Sequence, residues 1–132
     1  VEVLIAIFET YTKGSSKFKL KPILVGHNIQ EFDNKFLEYA FNRQEKNLYD
    51  YIGGSQDTLN LGRARWVGQQ KKFNLASCCK SAGVEVVDAH RAINDVEANK
   101  ELHINFINAM RSNSNQESGT ESQESPRVQF KF

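Results

Sequence analysis

Apolar side chains recur at the start of the chain as Val1, Leu4, Ile5 and Phe8, with Glu2, Ala6 and Glu9 turned the other way. That spacing predicts a helix over residues 1–12, although Val1, Val3, Ile5 and Ile7 also alternate as a strand would. A polar loop from Thr12 to Lys21 follows. The run PILVG, bounded by Pro22 and Gly26, then reads as a short central strand covered on both faces. From Phe32 to Arg43 the stripe Phe36, Leu37, Ala40 and Phe41 predicts a second helix. Gly53 and Gly54 break the chain, and QDTLNL reads as a further strand or strand end. Asn74 is placed to cap LASCCKSA, with Gly83 as its stop. In that helix Leu75, Cys78, Cys79 and Ala82 share a face, so both thiols are expected in the core. A long last helix is expected from Asp88 or Ala89 to Met110. Residues 1–111 thus form one α/β domain, and 112–132 a Ser/Gln/Glu-rich tail expected to be disordered.

Composition narrows the class without naming it. At 132 residues the chain holds one domain at most. Its net charge is +1, so no global basic field announces a nucleic-acid partner. No apolar run approaches the ~20 residues that span a bilayer, and no signal-peptide pattern is present. Cys78 and Cys79 are adjacent, a poor geometry for a disulfide and no zinc spacing. The expectation is an intracellular, reduced protein away from membranes, cytoplasmic if its source is prokaryotic or phage.

Chemistry enters at the helix starts. Asp33 precedes Leu37 by four and Ala40 by seven, which puts it on the expected core-facing stripe. Ala89, Ala92, Asp95, Ala98, Leu102, Phe106 and Ala109 are spaced by threes and fours, so Asp95 would press against the sheet among small side chains. Burying an unpaired carboxylate costs several kcal/mol, so something cationic or strongly hydrogen-bonding must meet it. For one isolated Asp a cap or ion pair is the simpler reading. Two on such stripes, near the end of one strand, point to a site for Mg²⁺ or Mn²⁺. His90 stands five residues before Asp95, which an ideal helix would turn about 140° away. It is therefore expected at a loop-like helix entrance, where an imidazole can act as a general base.

At these residues the sequence resembles the DnaQ-like 3′–5′ exonucleases with the DEDDh signature, in the RNase H-like superfamily. LVGHNIQEFD is similar to the second family motif, with Asn28 and the pair Phe32-Asp33. AHRAINDVEAN is similar to the third, with His90, Ala92 and Asp95. DTLNLGRA and KFNLASCCKSAGV match the connecting strand and helix, so the likeness runs from about Ile23 to Ile107. It implies hydrolysis of the 3′-terminal phosphodiester of a nucleic acid, DNA being the expected partner with RNA left open, with two divalent ions about 3.5–4 Å apart. It implies that Asp95 binds metal, that Asp33 helps hold the second ion, and that His90 is the base. His27, Asn28 and Phe32 would contact the nucleic acid.

The family's first motif, Asp-x-Glu on a strand, has no fitting counterpart. Aligning Glu9-Thr10 with it puts Ile7 where an Asp should ligate. Two further strands of ~5–6 residues and a helix also do not fit between Thr10 and Ile23. The expectation is an N-terminally incomplete RNase H-like fold of about two strands and three or four helices, its first strands upstream, and an impaired or inactive chain. The alternative is a non-catalytic nucleic-acid-binding or protein-interaction module derived from that fold. RARWVGQQKKF bears on both, because Arg63, Arg65, Trp66, Lys71 and Lys72 could grip phosphates and stack a base. A solvated basic loop is the plainer reading. The terminal RVQFKF could dock a replication partner.

Overall fold

The computed structural model describes residues 1–14 and 20–116. Helix α1 (Glu2–Gly14) buries Ile5 and Phe8 and half-buries Val1 and Leu4, the stripe that its spacing sets. The expected helix therefore forms and runs on through Thr12, where the polar loop was expected to start. Strand β1 (Ile23–Gly26) pairs in parallel with β2 (Gly54–Asp57), in register from Ile23 with Gly54 to Gly26 with Asp57. Parallel neighbours need a crossover, and this one holds helix α2 (Asp33–Asn42) and a 3₁₀ turn at Leu48–Asp50.

Helix α2 is turned from its expected orientation. Its core face is Asn34, Leu37 and Phe41, whereas Phe36 is 64 % exposed and packs edge-on against exposed Phe32, 5.1 Å between ring centres. Asn34 takes the buried position by donating from Nδ2 to Ser55 Oγ at 2.9 Å. Leu37 and Phe41 keep their expected places, and the buried face is turned toward Asn34 and away from Asp33 and Phe36.

The segment after β2 also departs from expectation. The strand is GSQD, and TLNL opens helix α3 (Thr58–Arg65) instead of extending it. Asp57 makes the switch, since its carboxylate accepts from Leu59 N at 2.9 Å as an N-cap. Helix α4 (Leu75–Ala82) forms as expected, with Asn74 Oδ1 accepting from Ser77 N and Gly83 closing it at φ 74°. Helix α5 (Ala92–Gln116) starts later than expected and ends later. Ser112 to Gln116, assigned to the tail by sequence, continue the helix. The rest of that tail, RVQFKF included, lies outside the described residues.

The described residues thus make an α/β unit of two parallel strands and five α-helices. Two apolar clusters hold it. One joins α1, α2 and the 3₁₀ turn through Ile5, Phe8, Phe41, Leu48 and Ile52. The other joins α3, α4 and α5 through Trp66, Cys78, Cys79, Ala98, Leu102 and Phe106. Both cysteines are fully buried and unpaired, as the spacing predicted. Among the described residues no helix is long and apolar enough to cross a membrane.

Candidate active site

The turn that leaves β1 is built backbone-first. Asn28 sits at φ 61°, a left-handed conformation that Asn tolerates. Its N–H donates to Asp57 Oδ1 at 2.8 Å, and Gln30 N reaches Asp57 Oδ2 at 3.4 Å. Asp57, 6 % exposed, therefore caps α3 and ties down the β1–α2 turn with one carboxylate. Gly26 is required there, since an added Cβ would lie 2.8 Å from Ile29 Cβ.

This turn delivers Asp33 as the first residue of α2, where a carboxylate suits the helix dipole. Asp33 is exposed, not on the core face as expected, because Asn34 has taken that face. It lines a cleft of about 670 Å³ whose other walls include Leu24 to Gly26 of β1, His27 just after it, and Asp95, Asn99, Lys100 and His103 of α5. Side chains of a strand alternate faces, so the adjacent pair Leu24 and Val25 lining one cleft puts it along β1 rather than on one face of it. Asp95, half-buried in the first turn of α5, comes to this cleft from a helix that packs against β1.

His90 does stand in the loop that enters α5, at φ 77° and exposed. Its N–H approaches Asp95 Oδ1 at 3.4 Å. It lines a separate hollow of about 190 Å³ that Asp95 shares, bounded by Leu75, Val86 and Ala89. So Asp95 is common to both spaces, while Asp33 and His90 each line one. Two carboxylates are the hard oxygen donors that Mg²⁺ takes, completed by water and substrate phosphate. They fit one such ion in kind, but among the described residues no three His, Cys, Asp or Glu side chains converge as a metal cage.

His27 faces inward as well as onto the cleft. Its ring bonds Thr58 Oγ1 at 3.0 Å and Phe73 O at 2.7 Å, and burial holds its pKa below the ordinary value against the pull of that carbonyl and of Asp57. Of the other residues read as nucleic-acid contacts, Phe32, Arg63, Lys71 and Lys72 are exposed. Trp66 is corrected to a core residue. It is 7 % exposed, with its ring 5.4 Å from that of Phe106, and so is not presented to a base. Arg65 lies over both rings and donates to Asn105 Oδ1 at 2.7 Å. Sequence reasoning passed over Asn99, Lys100 and His103, although they follow Asp95 at four, five and eight residues on the same helix.

With the fold and the cleft described, the comparisons fix the class. The family described as exonuclease, RNase_T, matches residues 7–103, and the chain belongs to it. That places it among the nucleases, in the DnaQ-like part of the RNase H-like superfamily, whose members bind nucleic acid and generally use divalent metal ions. Among individual proteins it is similar to a PolC-type DNA polymerase III of Halalkalibacterium halodurans, 39 % identical over 80 residues. Those residues are 61 % of this chain and 5 % of that polymerase, so the chain spans a small fraction of the curated relative it matches. No solved structure matches the chain.

Proposed function

We propose that the chain carries the second half of a DEDDh-type 3′–5′ exonuclease site acting on the 3′ end of DNA. One observation carries this reading: Asp33 and Asp95, from two different helices, line the same cleft against β1. In the reading, Asp33 and Asp95 hold the divalent cation, Mg²⁺ or Mn²⁺. Two such ions, when bound in the complete site, supply Lewis acidity to the cleavage. His90, beside Asp95, takes the proton of the attacking water, a role that its exposure and its imidazole suit. Phe32 stacks on a base near the 3′ end, and Arg63, Lys71 and Lys72 meet phosphates. With no strand-borne Asp-x-Glu in its sequence, the chain by itself cleaves weakly.

A second reading, a binding module without catalysis, is favoured by the absence of a three-ligand cluster among the described residues. A 5′-labelled oligonucleotide with a free or blocked 3′ end separates the two. Mg²⁺-dependent shortening from the free end, lost in Asp95→Asn and in His90→Ala, is the expected result. Unchanged shortening in either variant refutes the assignment. Binding with no shortening, under Mg²⁺ or Mn²⁺, supports the second reading.

A further inference from the structure

Under the cleft floor runs a hydrogen-bond chain that the proposed chemistry does not use. The Phe73 carbonyl can only accept, so His27 Nε2 must carry the proton that it donates across 2.7 Å. Nδ1 of the neutral ring is then an acceptor, and the Thr58 hydroxyl donates to it at 3.0 Å in preference to the Gly26 carbonyl at 3.3 Å. Thr58 Oγ1 accepts in turn from Asn99 Nδ2 at 2.7 Å. Thr58 is fully buried and Asn99 is 8 % exposed. Four segments meet in this chain: α5, the start of α3, the end of β1 and the loop before α4.

Its place on α5 gives it a consequence for the site. Asn99 stands four residues after Asp95, so the two side chains share one face of the helix. A slip of one residue would turn that face by about 100° and carry Asp95 out of the cleft. Apolar packing does not hold the start of α5, where Ile93 and Val96 are 65 % and 63 % exposed. The first core residue is Ala98, and Leu102 and Phe106 follow it toward the far end. Beside Ala98, the Asn99–Thr58 bond is the first hydrogen bond from a side chain of α5, among the described residues, that ties the helix to another element.

We propose that Thr58 is a positioning residue, whose hydroxyl joins Asn99 to His27 and sets the rotation of α5 so that Asp95 faces the cleft. The inference rests on Asp95 being a site residue. Its test is amide hydrogen exchange on the whole chain, with Thr58→Val, which keeps shape and deletes the hydroxyl, and Thr58→Ser, which keeps the hydroxyl. Thr58→Val is expected to speed exchange at Val96 to Asn99 about tenfold more than at Leu102 and Phe106, and Thr58→Ser to return it to within about threefold. Exchange rising in step along α5, or Thr58→Ser behaving as Thr58→Val, overturns the proposal. If Thr58→Val does not fold, Asn99→Ala breaks the same link from the other side and is read in the same way. Mn²⁺ titration of the unmodified chain keeps the two readings apart. No paramagnetic broadening at Asp33 and Asp95 would sink the metal site, while the exchange contrast still decides the role of Thr58.

Discussion

Replacing Asp57 tests how the candidate site is held. Its carboxylate does three things, capping α3 through Leu59 N at 2.9 Å, accepting from Asn28 N at 2.8 Å and lying 3.4 Å from Gln30 N. Asp57→Ala removes an N-cap worth about 0.5–2 kcal/mol. It also removes a charge-assisted bond worth about 1.5–3 kcal/mol from a part-buried N–H. The long Gln30 contact adds little. The sum is about 2–5 kcal/mol, a large share of the ~5–15 kcal/mol that stabilises a domain. Asp57→Asn should be much milder, at about 1–2 kcal/mol, because an amide oxygen can still accept from both Asn28 and Leu59. Its amide nitrogen then faces Gln30 N, where the native contact is already weak.

Urea unfolding followed by circular dichroism measures the difference. With m near 1.5 kcal/mol/M, Asp57→Ala should lower the midpoint by roughly 1.3–3.3 M with m unchanged. The reasoning fails if Asp57→Ala stays within about 0.5 kcal/mol of the parent, the range of an ordinary surface change. It also fails if Asp57→Asn is as damaging as Asp57→Ala, since the geometry of the acceptor would then not matter.

Leu102, fully buried between α4 and α5, should cost about 2–5 kcal/mol as Leu102→Ala, and a melting temperature within a degree of the parent would contradict its place in the core. Burial lowers the pKa of His27 below its ordinary 6.5, so below pH 6.5 the unfolded chain takes up a proton before the folded one does. Stability is therefore full above pH 6.5 and falls as the pH drops from there toward the folded pKa; urea midpoints should show this slope in the parent and lose it in His27→Gln. Burial also raises both thiols, that of Cys79 to about 11, so they are protonated at pH 8. Thiol labelling at that pH should be at least ~100-fold slower in the native chain than in denaturant, and rapid native labelling would place them at the surface.

What could be read from sequence was what local signals determine. Helix α4 carries its own cap at Asn74, its own stop at Gly83 and an unmixed apolar face, and it folds accordingly. In helix α2 Leu37 and Phe41 were read correctly, but Asp33 and Phe36 were not, because a buried position holds Asn34, which is acceptable there through Ser55 on another element. No window of sequence contains that partner. TLNL looked like strand because its composition does; the deciding group is the Asp57 side chain, whose capping role depends on the chain turning at that point. The mixture of Arg65 and Trp66 imitated a nucleic-acid loop, yet both are engaged by Asn105 and Phe106, forty residues away. Asn99 and His103 were different: they lie four and eight residues after Asp95 and so were within reach of the spacing, yet the line drawn through Ala98 and Leu102 passed beside them.

The two carboxylates belong to differently stabilised halves of the molecule. Asp33 rides on α2, whose apolar contacts are to α1 and the 3₁₀ turn; Asp95 rides on α5, whose contacts are to α3 and α4. Each cluster can be satisfied without fixing the other, because apolar packing is non-directional. Directional bonds supply what it lacks. At the carboxyl ends of β1 and β2, Asp57 ties the turn before α2 to the start of α3, and the next residue, Thr58, ties α5 to His27. One dipeptide thus holds the supports of both carboxylates. Weakening Asp57 should disturb mainly the side of Asp33, and weakening Thr58 mainly the side of Asp95. The relative geometry of the cleft is set by that polar pair, while the two cores set how firmly each wall stands.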